Sequence, residues 1–270
     1  MPPAATTPPS TTPRTLLVNA DDFGIYPQAN PAVVDAFDNG LVASCSVMTP
    51  SPGAPDALRI LADRPDVAFG IHLTLVADFP DQRWNPLTDG RSLLDAGGQL
   101  FTPDDKQQLL AQATIDDVEA EFRAQIELVL AAGLRPTHVD WHCLADGGRP
   151  ALFDLTVELA DEYGLAVRAW LPDSRRKLAG RGRPTVDHDF LDSFAVPLDD
   201  KPQHLARRLR ELEPGLTEWA VHPAFDHPDD GGTGVRQSDY DFLVSAEARE
   251  IVEEEGITVI GWGDLLQAWD

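Results

Sequence analysis

A single (β/α) barrel of the TIM-like kind, with room for irregularity, is the fold class this sequence predicts, and three observations carry it. Short apolar runs alternate with amphipathic stretches along nearly the whole chain, the pattern of parallel strands joined by helical crossovers. A length of 270 residues is common for one such barrel. No glycine-rich phosphate fingerprint follows the first strand, which counts against an open, doubly wound, nucleotide-binding sheet.

In chain order, residues 16–20 form a mainly apolar run cut off by Asp21, Asp22 and Gly24, as a buried strand does when it empties into a loop. Asn30-Pro31 starts a helix whose stripe is Val33, Val34 and Phe37 and which ends at Asn39-Gly40. Residues 42–48 follow as a strand, 55–64 as a helix and 67–75 as a third strand holding His72. Residues 76–103, with Pro80, Pro86, Gly90, Gly97 and Gly98, lose all periodicity and read as a long functional or mobile loop. Thr114 caps a long helix closed by Gly133, and 137–141 is the fourth strand. A helix over 151–163 ends at Gly164, and 165–169 is the fifth strand. Residues 175–189 are charged and glycine-rich, hence a loop, and 190–196 is a weak strand candidate. Pro202 opens a helix to Glu213, and 216–221 is a strand that stops at His222-Pro223. After a loop over 223–237, Ser238-Asp239-Tyr240-Asp241 caps one long final helix, and 257–260 is the last strand.

Composition narrows the function. With 45 acids against 21 bases the net charge is −24, which opposes binding to nucleic acid or to anionic lipid. Cys45 and Cys143 are too few for a disulfide framework or a cysteine-based zinc site, and Cys143 reads as a buried thiol. Residues 1–13 are rich in Pro, Thr and Ala and read as a disordered tail before one domain over 14–270. No apolar run approaches the roughly 20 residues of a spanning helix, so a cytoplasmic location is expected.

The informative fact is where the polar groups fall. Asp21 and Asp22 follow the first strand, His72 lies toward the end of the third, and His142 follows the fourth. Arg168 ends the fifth strand and His222 a later one. In a parallel barrel these ends share the face on which active sites are built. His138, Asp140 and His142 alternate along one strand and project from one side, which is costly unless they are paired or bound to a metal. A hydrogen-bonded pair without a ligand is the plain alternative. The functional reading makes His142 a ligand, with His138 and Asp140 deeper and orienting it. Asp22, His72 and His142 then form an open site of one carboxylate and two imidazoles. Zn²⁺, Co²⁺, Mn²⁺, Ni²⁺ or Fe²⁺ suit it, Mg²⁺ with added waters, and the facial triad of iron oxygenases has the same ligands. His188, His204 and His227 read as surface residues. Trp84, Trp141 and Trp170 are either core or rings on which a sugar stacks.

Asn19-Ala20-Asp21-Asp22-Phe23-Gly24, Gly70-Ile71-His72, the stretch from Pro136 through His142, and His222-Pro223-Ala224-Phe225 resemble the YdjC-like carbohydrate deacetylases over nearly the whole chain from Thr15. The resemblance implies a distorted (β/α) barrel and one divalent metal ion, magnesium or zinc, on Asp22, His72 and His142. It implies Asp21 as general base and His222 as acid; Arg168, His138, Asp140 and Trp141 are expected, from their places in the chain, to contact substrate or support the site. The reaction would remove the acetyl group of an N-acetylated sugar by attack of metal-activated water on the acetamide carbonyl. The partner is then a small N-acetylated sugar, and a homodimer stays open. The family often has Ser at the position of Trp141 and further histidines in the stretch held here by Cys143, Leu144, Ala145 and Asp146. Chito-oligosaccharide specificity therefore does not carry over. A metal-dependent hydrolase of phosphate esters or other amides, and an inactive carbohydrate-binding homologue, are the rival readings.

Overall fold

The computed structural model describes residues 12–79, 83–226 and 234–267; most of the tail expected at 1–13, together with His227, lies outside them. The strands are β1 (Arg14–Phe23), β2 (Ser44–Val47), β3 (Phe69–Leu73), β4 (His138–Trp141), β5 (Ala166–Val167), β6 (Leu191–Asp192), β7 (Gly215–Val221) and β8 (Ile257–Ile260). Helices α1 (Ala29–Asn39), α2 (Ala54–Asp63), α3 (Lys106–Gln112), α4 (Ile115–Ala131) and α5 (Pro150–Tyr163) serve the first half. Helices α6 (Pro172–Gly180), α7 (Lys201–Arg210), α8 (Val235–Leu243), α9 (Ala246–Glu254) and α10 (Trp262–Gln267) serve the second.

All strand pairings are parallel, in the order β5-β4-β3-β2-β1-β7-β6, with β8 also on β1. β7 takes one edge of β1 from Arg14 to Ala20. The other edge is divided, with β8 along Arg14 to Leu17 and β2 from Asn19 onward. β5 and β6 end the sheet with two residues each, too little ladder to join across the gap. The result is a curled half-barrel, the distorted form of the expected fold.

Strand alternation sorts the side chains. Leu16, Val18 and Ala20 enter the main core with the helices, whereas Leu17 belongs to a small inner cluster with Ala166 and Trp262. Asn19 and Asp21 share the side of Leu17, so the inner face turns from apolar to polar as β1 ascends. Trp262 stacks on His138 with centroids 4.7 Å apart. That ring fills the space above Gly70, where an added Cβ would lie 2.4 Å from His138 Cε1.

Three stretches depart from expectation. Residues 172–180, expected in part as loop, form α6, which buries only Ser174 and Leu178 and so carries no apolar stripe to betray it. α3 and α10 were likewise not expected; α3 buries Leu109 alone. The single final helix is two, α8 and α9, because Ser245 Oγ accepts from Ala248 N–H at 3.0 Å and starts a new helix. The cap expected at Thr114 is present, its side chain accepting from Asp117 N–H. The long loop is pinned to α4: Glu121 accepts from the N–H groups of Leu87 and Thr88, and Asp117 from that of Ser92.

Candidate active site

In a regular strand Asp22 would follow Ala20 toward the helices, away from Asp21. The ladder with β2 instead shifts register between Ala20 and Phe23, and Asp22 adopts φ +63°. This bulge turns both carboxylates into one cavity, at the cost of a left-handed backbone at a non-glycine residue. Neighbours in a regular strand point opposite ways, so both acids face one site only because the chain turns between them, inside β1 and not beyond its end.

Asp22, His72 and His142 offer ligand atoms that all lie within 4.8 Å of one another. Asp22 Oδ1 is 3.2 Å from His72 Nε2 and 2.9 Å from His142 Nδ1. Asp140 orients His72, at 2.8 Å from Nδ1, and not His142 as expected. His142 Nε2 meets Asp78 Oδ1 at 2.6 Å. His138 Nε2 lies 3.7 Å from Asp140 Oδ2, its Nδ1 meets Thr137 Oγ1 at 3.0 Å and its ring stacks on Trp262.

Arg168 gathers the remaining acids. Nη1 and Nη2 donate to Asp21 Oδ2 and Oδ1 at 2.7 and 2.8 Å, and Nε donates to Glu218 Oε1 at 2.8 Å. Nη1 also lies 3.0 Å from Asp140 Oδ2, a charge contact outside hydrogen-bond geometry. Asn19 Nδ2 adds a bond to Asp21 Oδ1 at 2.8 Å. His222, beyond the end of β7, meets Ser193 Oγ through Nδ1 at 2.9 Å.

These groups open on a cavity of about 730 Å³ walled by Phe79, Trp170, Phe190 and Phe194 as well as the acids. Trp170 and Phe190 lie 4.3 Å apart at its side. Trp141 borders the cavity, but its indole donates to Thr156 and packs on Phe153. Trp84 is buried against Phe79. Cys143 is exposed, not buried as expected: φ +57° brings its Sγ to 3.5 Å from His142 Nε2. Sequence reasoning also missed Asp78 and Arg236, whose Nη2 is 2.7 Å from Asp22 Oδ2. Both come from stretches without periodicity, and only the fold brings them near the strand ends.

Electrostatics follow from burial and charge. Burial resists a charge on Asp22, but Arg236 and His142 overcome it and hold the carboxyl well below its usual range. Burial likewise opposes charge on Asp140, yet Arg168 and His72 hold it low. His72 is pushed up to about 10 because Asp140 and Asp21 outweigh its desolvation. His142 is raised well above the ordinary range, against burial, by Asp78, Cys143 and Asp22. Burial lowers His138 and raises Glu218 to about 7.

Comparison with known proteins gives the chain its relatives. A carbohydrate deacetylase of Thermoanaerobacter pseudethanolicus is 35% identical over 78% of this chain and 81% of its own. One from Geobacillus stearothermophilus is 33% identical over 79% and 80%. An Enterococcus faecalis V583 protein, provisionally named for cellobiose-phosphate cleavage, superposes with a TM-score of 0.80 at 25% identity, covering 94% of this chain and 99% of that one. Residues 15–254 match the family described as YdjC-like protein, and the chain belongs to that family.

Proposed function

We propose that the protein is a metal-dependent carbohydrate deacetylase that hydrolyses the acetamide of an N-acetylated sugar. The observation that carries this reading is the meeting of Asp22, His72 and His142 beside Asp21 in a cavity of sugar-binding size. Two relatives named carbohydrate deacetylases support the substrate class.

The donor set fits one divalent ion. A carboxylate and two imidazoles leave positions open, and Asp140 on His72 Nδ1 leaves Nε2 turned toward Asp22. Two imidazolium charges among these carboxylates equal the charge of one such ion, so exchanging the protons for it preserves the balance. The imidazole pair favours zinc over magnesium. Bound there, the ion supplies Lewis acidity at the acetamide carbonyl and a lowered pKa for water.

The chain's own residues supply the rest. Asp21 Oδ1 accepts from Asn19 and Arg168, whereas among the described residues Oδ2 accepts from Arg168 alone. Oδ2 therefore keeps a lone pair with which to take the proton of water. Arg168 bridges Asp21, Asp140 and Glu218, which fixes Asp21 in place. His222 in the cavity wall gives a proton to the departing amine, and Trp170 and Phe190 offer rings to the sugar.

Acetate release from a panel of N-acetylated sugars, with and without chelator, tests the reading. Asp21→Asn should lose about 10²–10⁴-fold in rate and keep its metal, the range a positioned base supplies. His72→Ala should lose the metal. Full activity in Asp21→Asn, or release of phosphate from sugar phosphates in place of acetate, would refute it.

A further inference from the structure

Beside His222, outside the cavity lining, three buried side chains are linked. Ser193 Oγ meets His222 Nδ1 at 2.9 Å and donates to Asp239 Oδ2. The same Oδ2 accepts from the backbone N–H of His222 at 2.9 Å. Lys201 Nζ lies 2.5 Å from Asp239 Oδ1, a charge contact outside hydrogen-bond geometry, and donates to Val235 O at 3.3 Å. Lys201 and Ser193 are 0% exposed and Asp239 1%. A wholly buried lysine is rare, and taking its charge from water costs several kcal/mol unless a partner compensates. None of the three lines the cavity; their route to it runs through His222.

We propose that Lys201, Asp239 and Ser193 are positioning residues that lock His222 in its Nδ1–H tautomer and make Nε2 the atom that delivers the proton. This rests on the reading of His222 as the acid. The proton count is forced by the donors and acceptors present. A carboxylate only accepts, so the one hydroxyl proton of Ser193 goes to Asp239. Ser193 Oγ then faces His222 with lone pairs, and Nδ1 must carry a hydrogen. The ammonium of Lys201 opposite Oδ1 favours the carboxylate end of the line; a protonated Asp239 would donate to Ser193 and reverse its sense. When the imidazolium gives up its Nε2 proton to the amine nitrogen, the neutral ring is already the Nδ1–H form. No ring flip or tautomer exchange separates one turnover from the next.

The test is ¹⁵N spectroscopy of the full-length protein together with kinetics on an N-acetylglucosamine oligomer. Neutral His222 should show a protonated Nδ1 and a bare Nε2 in the wild type. Ser193→Ala should give mixed tautomers, with kcat down by roughly 10²-fold and KM little changed, as for a misoriented acid or base. Lys201→Met should unlock the tautomer as well, a readout that mere loss of packing would not move. A wild-type ring bearing its proton on Nε2, or a lock that survives Ser193→Ala, overturns the proposal. Full activity in His222→Ala removes the acid role and the proposal with it. If the wild type releases no acetate from any sugar, the deacetylase reading falls, and the tautomer result alone decides the relay.

Discussion

Glu218 offers a prediction that can be worked through in numbers. It is buried on β7, with Oε1 accepting from Arg168 Nε and from Trp262 Nε1, the latter at 3.2 Å. Oε2 has no hydrogen-bond partner among the described residues, so ionisation leaves charge unsolvated there. Desolvation exceeds the pull of Arg168 and raises the carboxyl from its ordinary 4.5 to about 7. A raised acid pKa means the folded state holds its proton longer than the unfolded state does. Stability is therefore lost as pH climbs from the ordinary value toward the folded one, and the loss levels off above it. At 1.36 kcal/mol per unit the full penalty is about 3 kcal/mol, of which about 2.5 kcal/mol accrues between pH 5 and pH 8. Glu218→Gln does not titrate. Its stability relative to wild type should rise by that amount across the interval. Urea unfolding of both proteins at several pH values measures the difference. A variant-minus-wild-type difference that is independent of pH, or that falls as pH rises, would refute the reasoning.

Two further outcomes follow from the same geometry. Gly70→Ala would drive a Cβ into the His138 ring, which is fixed against Trp262, and should lower stability by about 1–3 kcal/mol in chemical denaturation, the usual cost of overpacking. Zn²⁺ affinity, measured by competition with a chelator, should strengthen as pH rises toward about 10, because the ion must displace the proton held on His72 by Asp140 and Asp21; an affinity that weakens over that range would contradict the assigned ligands.

Among the described residues no helix is long and apolar enough to cross a membrane. The strand ends that the alternation of apolar runs locates do lie on one face, because parallel strands joined by crossovers leave no other arrangement. That is why Asp22, His72 and His142 could be named together from their places in the chain, and Arg168 and His222 beside them.

What sequence periodicity could not supply was everything decided by contact. For Asp21 and Asp22 to face one site the chain must turn between them, which strand alternation already implies; that the turn is a bulge inside β1, with a register shift against β2 and φ +63° at Asp22, is decided by the ladder. Pairing of Asp140 with His72 is set by the register of β3 on β4, which places the two residues opposite each other. Asp78 lies in an irregular segment and Arg236 in the first turn of α8, directly after a loop, so no spacing announces them. Sequence by itself determined which chemical groups stand at the strand ends, because alternation is a local property of each strand. Only the tertiary structure decided which of them touch, because a hydrogen bond between residues far apart in the chain depends on register, bulge and curl of the whole sheet.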